Sequence, residues 1–324
     1  MNTFYICRVC GSMESSGSLL AREMMFGLEE DFDYDKCSHC GTLQLRDTSI
    51  DLSKYYPDGY YSRKEVLDAD DEETILGSIK WRMKRWRALH TTGRGHVLGA
   101  LVDRRWPETG LTQLTGTCID FDASVLDVGC GAGPWLLNEM AKLGFKNLLG
   151  ADPFIQADIV TSAGVRVLKR EIASVEGKFD LIMFHHSFEH VVDPLSTLRA
   201  AYERLRDQGR CLIRIPTPSS EAFDRYGTAW YQLDAPRHLT LVSREGMNIL
   251  AAKAGFWVES VRDDSDWKQF ACSELYKRGI PLVKQTIRES FSEKELAMFA
   301  STTQELNGRH RGDQAAFILR PRPN

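Results

Sequence analysis

The sequence predicts an α/β fold with a doubly wound, mostly parallel, Rossmann-like sheet of seven strands and a small N-terminal zinc ribbon. Three observations support this prediction. The run Val125–Gly133 leads from apolar residues into alternating glycines, apolar strand and helix patterns alternate after it, and two Cys-x-x-Cys pairs lie near the N-terminus. Strands that alternate with helices form parallel sheets covered by helices on both faces.

Length and charge limit the function. A chain of 324 residues can bury one substantial core and a smaller appendage. A formal net charge of -4 argues against a general nucleic-acid binder, although a local basic patch is compatible with it. No apolar run reaches the roughly 18 residues of a membrane span, and the N-terminus lacks the pattern of a signal peptide. We therefore expect a cytoplasmic protein, and the oligomeric state is not predicted.

The ribbon is predicted over residues 1–50, with short strands at Phe4–Cys7 and Thr42–Arg46. A glycine follows each Cys-x-x-Cys pair, and four thiolates in two such pairs match a closed tetrahedral Zn²⁺ site. Two redox pairs or disulfides are the alternative. Because four protein ligands leave no open position, the metal should be structural. The predicted ligands are Cys7, Cys10, Cys37 and Cys40.

Residues 51–118 are predicted to form a linker and N-terminal helices on the acceptor side. Tyrosines surround a Pro-Asp-Gly turn, and Tyr60 and Tyr61 are candidate substrate contacts. An acidic start at Asp68–Glu73 leads into a basic helix with interleaved tryptophans, which is either a solvated face or a docking surface for an anionic partner. A second helix is expected at His96–Arg105.

Residues 119–324 are predicted to form the α/β domain. Its expected strands and helices are Val125–Val128, Trp135–Leu143, Asn147–Ala151, Ile155–Ala163, Val165–Lys169, Phe179–Phe184, Pro194–Leu205, Arg210–Ile215, Arg244–Ala254, Trp257–Arg262 and Ala315–Leu319. Ile155–Ala163 takes a helix position in this alternation.

The glycine spacing indicates the cofactor. Gly129, Gly131 and Gly133 form G-x-G-x-G, and Pro134 stands where a pyrophosphate-binding motif would have its third glycine. Glycines allow the backbone to approach a ligand closely. Asp127 precedes them and would repel a phosphate but attract an ammonium group. S-adenosylmethionine (SAM) therefore suits this loop better than NAD.

Other predicted cofactor contacts follow later strands. Ligands of open α/β sheets bind beyond the carboxyl ends of the strands. At these positions Asp152 could accept the ribose hydroxyls, Glu171 and Ile172 could contact the adenine, and His185 would lie near the reactive methyl.

These motifs resemble those of class I SAM-dependent methyltransferases. The resemblance covers about residues 120–262 and rests on Val125–Gly133, Gly150–Asp152, Phe179–Ile182 and Glu189–Pro194. The turn at Leu205–Gly209 is similar to a family turn but departs from it at Asp207 and Gln208. The resemblance implies SAM as methyl donor and S-adenosylhomocysteine as product.

A bacterial subgroup of that family, with a zinc ribbon and a Tyr-Tyr linker, is similar over a larger part of the chain. The segment Trp230–Leu239 resembles its W-x-x-L-D-x-P-R-H-L motif. Genes for this subgroup commonly lie among those for sugars and surface polysaccharides. The resemblance therefore implies a carbohydrate acceptor, either a surface polysaccharide or a nucleotide sugar.

Methyl transfer to a hydroxyl needs alignment and removal of a proton, a role that suits histidine near neutral pH. The candidate bases are His186, His190 and His238, and Trp230, Tyr231 and Arg237 are predicted to shape the acceptor pocket. An alternative uses Mg²⁺ or Mn²⁺ held by His186, Glu189 and His190, which share one face if their segment is helical.

The predicted function is O-methylation of a carbohydrate, with a small-molecule or oligosaccharide acceptor, including anionic ones. Nucleic acid is not expected as a partner. RNA methylation and C-methylation of a nucleotide sugar remain alternatives. A further alternative is a zinc-ribbon binding module in which SAM is a passive ligand.

Overall fold

The computed structural model describes residues 5–56, 75–105, 110–284 and 286–322. The side chains of residues 75–78 and 284 are outside this description. So are Tyr60, Tyr61 and the predicted helix start at Asp68–Glu73. The chain divides into two compact units. The first unit comprises Met1–Pro57, His186–Arg199 and Arg214–Phe317, and the second comprises Asp58–His185, Ala200–Ile213 and Ile318–Asn324.

The second unit contains the α/β core. Its described elements are α1 (Ile75–Thr91), α2 (Val97–Arg105), β4 (Ser124–Val128), α3 (Trp135–Lys142), β5 (Asn147–Ala151), β6 (Ile159–Val160), β7 (Arg166–Leu168), β8 (Phe179–His185), α4 (Pro194–Arg204) and β9 (Leu205–Pro216). The start of α4, up to Arg199, and the end of β9, from Arg214, belong to the first unit.

The strand order within the second unit is β9-β8-β4-β5-β7-β6. Strand β4 pairs in parallel with both β5 and β8, and β5 pairs in parallel with β7. Val125, Leu126 and Leu181 have no exposed surface, which is expected of parallel strands covered on both faces. The predicted mostly parallel sheet is confirmed, but among the described residues the whole sheet has eight strands rather than the predicted seven.

The predicted helix at Ile155–Ala163 is wrong. This stretch holds the two-residue strand β6, which pairs antiparallel with β7. The amide of Thr161 donates to the carbonyl of Val165, and Gly164 has a φ of 79°, so a tight turn joins the two strands. A β-branched pair, Ile159–Val160, followed by a glycine turn favours a short hairpin over a helix.

The first unit begins with an antiparallel sheet. Its earlier elements are β1 (Ser15–Arg22), β2 (Asp31–Cys37) and β3 (Leu43–Leu45). Its later elements are α5 (Glu221–Tyr226), β10 (Thr240–Leu241), α6 (Arg244–Lys253), β11 (Phe256–Asp263), α7 (Lys268–Lys277), α8 (Ile287–Ser290), α9 (Glu293–Gly308) and β12 (Gln314–Pro321), of which the last four residues fall in the second unit.

Strand order in the antiparallel sheet is β1-β2-β3-β10. Thr240 pairs with Gln44 and Leu241 with Leu43, so residues far along the chain complete the predicted ribbon. Tyr5–Cys7, the described part of the predicted strand Phe4–Cys7, lies in no strand. Tyr34, Trp230 and Phe270 contribute to one buried apolar cluster of this unit. Among the described residues, no helix has the length and apolar character needed to cross a bilayer.

Candidate functional site

The glycine loop lies in the second unit, directly after β4. Gly129 and Gly131 have φ angles of 74° and 66°, in the left-handed region that favours glycine. The Gly129 amide donates to the Ala151 carbonyl at 2.7 Å, and the Gly131 amide donates to Asp152 Oδ2 at 2.9 Å. The end of β5 therefore fixes the shape of the loop.

Gly150 allows this close approach. A Cβ at this position would lie 2.6 Å from Cys130 Sγ and 3.1 Å from a methyl group of Val167. Both neighbours are packed side chains, so a larger residue would push the loop away from β5. Gly150 is therefore needed so that the glycine loop can pack against β5.

Asp127, the last acidic residue before the glycines, is buried. Among the described residues, its Oδ1 atom has no hydrogen-bond partner. Burial first, and the charge of Asp152 second, raise the pKa of Asp127 to about 8. A cation at Oδ1 would offset both effects, so the residue fits the ammonium group expected from the sequence.

The other predicted cofactor residues lie at the expected strand ends. Asp152 Oδ1 accepts a hydrogen bond from the Phe154 amide, and the Gly133 carbonyl accepts one from the Trp135 amide at the start of α3. Glu171 is exposed beside the buried Ile172 in a short 3-10 turn. His185 is the half-buried last residue of β8.

Phe154 is a candidate that the sequence analysis missed. Its side chain is 85% exposed two residues beyond Asp152. An exposed aromatic ring two residues after the carboxylate that is predicted to bind the ribose suits stacking on a flat base. The signal available in the sequence was a large apolar residue directly after the Asp-Pro turn.

A second constellation lies in the first unit. Glu189, His190 and His238 each offer a ligand atom, and these atoms lie within 4.8 Å of one another. We call these three residues the Glu–His cluster. Glu189 has no exposed surface, His238 is 6% exposed, and His190 is half-buried. The hydroxyl of Tyr56 lies 3.4 Å from His190 Nδ1, so the tyrosine segment reaches this cluster.

Two backbone carbonyls define which ring nitrogens are available. His190 Nδ1 lies 2.8 Å from the Arg237 carbonyl, and His238 Nδ1 lies 2.8 Å from the Gln232 carbonyl. A carbonyl can only accept, so each Nδ1 carries the hydrogen and each Nε2 keeps its lone pair. Both histidines therefore offer Nε2 as a base or a ligand.

His186 differs from the other two histidines. Arg214 donates to His186 Nε2 at 2.7 Å, which places the ring hydrogen on Nδ1, 3.4 Å from Glu189 Oε1. Because Arg214 occupies the lone pair of Nε2, the arrangement does not suit the predicted role of His186 as general base. The cluster also replaces the predicted metal set of His186, Glu189 and His190, since His238 takes the place of His186.

Electrostatics distinguish the members of this region. Burial alone would raise the pKa of Glu189, but the nearby histidines, His186 first, outweigh it and lower the pKa. Burial also lowers the pKa of His238 to about 4. Near neutral pH the structure therefore favours an ionised Glu189 beside a neutral His238.

Two residues that were predicted to shape the acceptor pocket, Trp230 and Arg237, are buried and hydrogen-bonded within the first unit. Trp230 has no exposed surface, and its Nε1 donates to Asp313 Oδ2 at 3.0 Å. Arg237 is also fully buried and donates to Glu23 and Asp234. Neither side chain presents a surface to an acceptor, which corrects the sequence prediction. Tyr231 is half-buried and stays a candidate.

Replacing Arg237 with alanine is expected to destabilise the protein by about 3–5 kcal/mol, because the buried carboxylate of Glu23 and the half-buried carboxylate of Asp234 would lose their cation. Urea unfolding measures this loss. The matched control is Arg22→Ala, which removes an ion pair with Asp31 in which the arginine side chain is 52% exposed, so the change should be small. Similar midpoints for both variants would contradict the structural role of Arg237.

The four predicted zinc ligands come together. Cys7 Sγ lies 3.6 Å from Cys40 Sγ, and Cys10 Sγ lies 3.5 Å from Cys37 Sγ. All four sulfurs lie within 4.8 Å of one another, and none forms a disulfide. Zn–S bonds of about 2.3 Å in a tetrahedron place sulfurs roughly 3.8 Å apart, so the donor set fits Zn²⁺.

A family model described as a methyltransferase domain matches residues 92–261, more than half of the chain. Searching curated proteins gives no match. Among solved structures, a SAM-dependent methyltransferase of Thermotoga maritima, described as a possible histamine N-methyltransferase, is 16% identical with a TM-score of 0.39. That similarity covers 77% of this chain and 96% of the other. The CcbJ methyltransferase of Streptomyces caelestis is 10% identical with a TM-score of 0.35, covering 62% and 84%.

The family match includes Asp127 and the glycine loop at the end of β4, Asp152 after β5, and the histidines of the segment after β8. Since that match extends over more than half of the residues, the chain belongs to the methyltransferase-domain family and is a class I SAM-dependent methyltransferase.

Proposed function

We propose that this methyltransferase transfers the methyl group of SAM to a hydroxyl of a carbohydrate, either a surface polysaccharide or a nucleotide sugar. The Glu–His cluster carries this proposal. A carbohydrate hydroxyl is a weak nucleophile, so a site that methylates it must take up or displace its proton. Two histidines that each offer an Nε2 lone pair beside a buried carboxylate supply that chemistry.

In the second unit, Asp127 would hold the ammonium of SAM, while Gly129 and Gly131 would let the backbone of the loop approach SAM closely. Asp152, Glu171 and Ile172 would contact the ribose and adenine. When bound, SAM supplies a methyl group on a sulfonium, which is activated for displacement without further help from the protein. The residues of this chain then have to orient the acceptor and manage its proton.

SAM affinity is expected to increase about tenfold from pH 6 to pH 7. Asp127 has a raised pKa of about 8 without ligand, and its ionised form must be populated to bind an ammonium group. The rise should end near pH 8, where the ammonium begins to lose its own proton. Calorimetry across this range measures the effect. Asp127→Asn should bind weakly and without this slope, and a pH-independent affinity of the unsubstituted protein would contradict the role of Asp127.

In the first unit, the Glu–His cluster would activate the acceptor hydroxyl. In a direct mechanism, Nε2 of His190 or His238 accepts the hydroxyl proton as the oxygen attacks the methyl group. His190 suits direct contact because it is only half-buried, whereas His238 is buried. Tyr231 and Tyr56 are the partly exposed aromatic side chains of this unit that we propose for acceptor binding.

The basic helix gives little support to RNA as the acceptor. Arg85 of α1 lies 3.6 Å above the ring of Phe121 and donates to the Leu143 carbonyl, and Trp81 donates to the Lys142 carbonyl. These two side chains of the helix serve packing within the second unit. A sugar acceptor therefore stays the preferred proposal.

We propose Zn²⁺ for the four-cysteine cluster, with a structural role. Arg8, inside the first Cys-x-x-Cys pair, donates to the carbonyls of Leu45 and Leu239. The Tyr34 hydroxyl donates to the carbonyl of His238 at 2.8 Å. The zinc site would thereby stabilise the segment that carries His238 without entering the reaction.

A transfer assay with tritiated SAM tests the acceptor class. Nucleotide sugars, lipopolysaccharide oligosaccharides and RNA are offered separately, and the Asp127→Asn variant is the control for donor binding. We expect label in a saccharide, reduced to background in the variant. Label confined to RNA, or found in none of these acceptors although SAM binds, would contradict the proposed function.

A further inference from the structure

We propose that the Glu–His cluster is a binding site for one divalent first-row transition-metal ion, such as Mn²⁺, Fe²⁺ or Co²⁺. The inference deepens the proposed function, because the ion would act on the acceptor hydroxyl. Metal binding itself depends only on Glu189, His190 and His238. This site is distinct from the four-cysteine cluster in donor chemistry, since it offers nitrogen and oxygen ligands rather than thiolates.

The donor set and its spacing fit such an ion. Two imidazoles and one carboxylate bind divalent metals while leaving coordination positions open for a substrate. His238 Nε2 lies 3.9 Å from Glu189 Oε1, and a carboxylate oxygen of Glu189 and one ring nitrogen of each histidine lie within 4.8 Å of one another. Ligand atoms bound at about 2.1 Å to one ion lie roughly 3–4 Å apart, so small side-chain movements close the site.

The hydrogen bonds behind the ligands also fit. Histidines that bind metals usually donate their other ring hydrogen to a carbonyl or carboxylate, which fixes the tautomer and the ring orientation. His190 and His238 both do this, through Nδ1 to the carbonyls of Arg237 and Gln232. Asp234, 3.7 Å from His238 Nε2, is instead held by Arg237, which donates to both of its oxygens.

Glu189 supplies an independent observation. Its side chain has no exposed surface, and neither carboxylate oxygen accepts a well-formed hydrogen bond from the described residues. Burying an ionised group in this way is costly unless a cation or donors compensate it. The closest approach is His186 Nδ1 at 3.4 Å from Oε1. A divalent ion bound by Glu189 would provide the compensation directly.

The ion changes how the hydroxyl is activated. An Nε2 atom that binds a metal cannot accept a proton, so the metal-bound mechanism excludes the direct-base mechanism. The hydroxyl oxygen would bind at an open position of the ion, which lowers its pKa, and its proton would pass to water. The alkoxide oxygen then forms a bond to the methyl carbon as the carbon–sulfur bond breaks, giving the ether and S-adenosylhomocysteine.

Titration of the zinc-loaded protein with Mn²⁺, followed by electron paramagnetic resonance, tests the site. Mn²⁺ is chosen because thiolate clusters disfavour it. We expect one saturable site, with affinity lowered at least about 100-fold in Glu189→Gln and in His190→Asn, since each removes a ligand and loss of a ligand's hydrogen-bond partner alone costs about 10–100-fold. The matched control is His310→Asn, which removes an exposed histidine that lies 3.4 Å from Asp263 and should bind like the unsubstituted protein.

Folding and activity separate the remaining outcomes. Each variant is used only if its SAM affinity and circular dichroism match those of the unsubstituted protein. If the protein does not bind Mn²⁺, or if Glu189→Gln binds it as well as the unsubstituted protein, the metal site is overturned. Turnover that survives chelation would in that case leave the proposed function standing, with a histidine as direct base. Saturable binding that the two ligand variants lose would support the site even if no saccharide is methylated, in which case only the proposed function fails.

Discussion

Replacing Glu189 with glutamine is expected to lower kcat/KM for the acceptor by about 100-fold or more, at unchanged SAM affinity. Glutamine preserves the shape of the side chain but removes the charge beside His186, His190 and His238. Proton transfer by a positioned group contributes about 10²–10⁴-fold to enzymatic rates. Loss of a hydrogen-bond partner behind a metal ligand already costs about 10–100-fold, so loss of the ligand itself should cost at least as much. The Glu–His cluster should therefore lose its function in either mechanism.

Steady-state kinetics and SAM calorimetry are measured together for this variant. Glu305→Gln is the matched control, because Glu305 is an exposed glutamate of the same unit, paired with Arg309 at the surface. Its kinetics should equal those of the unsubstituted protein. Normal turnover by a folded Glu189→Gln variant would show that the cluster only supports the fold.

Replacing Cys10 with serine is expected to abolish stoichiometric zinc and to unfold much of the first unit. Structural Zn²⁺ contributes roughly 10–16 kcal/mol to the folding of small zinc-finger peptides, which is comparable to the whole stability of many domains. The loop between Cys7 and Cys10 carries Arg8, whose guanidinium bonds join β3 to the segment after His238. The effect should therefore reach beyond the ribbon.

Zinc content and thermal unfolding measure this result. Cys118→Ser serves as the control, because this half-buried cysteine lies in the second unit outside the metal-binding groups of the described residues. The control should keep one zinc per chain and nearly the same Tm. A protein purified without zinc, with equal melting of both variants, would contradict a structural metal.

The second unit was largely predictable because its signals are local. Gly129 and Gly131 adopt the left-handed backbone that their spacing predicts, and Asp127 and Asp152 lie at the ends of adjacent strands. Such features depend on residues that are close in sequence or share a sheet edge. The same holds for the cysteine pairs, whose spacing alone limits the geometry of the site.

The first unit was less predictable because its contacts join distant residues. The motif that contains Trp230 and Arg237 predicts an acceptor pocket. In the structure, Trp230 instead donates to Asp313, and Arg237 donates to Glu23. Arg237 and Glu23 are 214 positions apart, and composition does not reveal that pairing. Strand β10 likewise joins a sheet whose other strands end near residue 45.

Roles of individual histidines also depend on long-range contacts. The sequence does not distinguish His186, His190 and His238 as bases. In the structure, Arg214 donates to Nε2 of His186, while backbone carbonyls accept from Nδ1 of the other two histidines. Tautomers follow from such partners and have no sequence signature. The structure was needed to exchange His186 for His238 in the candidate metal set.

The central claim, transfer of a methyl group to a carbohydrate hydroxyl, is tested most directly by locating the transferred group. The protein is incubated with SAM carrying a trideuterated methyl and with the saccharide that accepts label, and the product is analysed by mass spectrometry and nuclear magnetic resonance. We predict one deuterated methyl ether on a sugar oxygen. A methyl group on carbon, on nitrogen or on an RNA base would contradict the proposal.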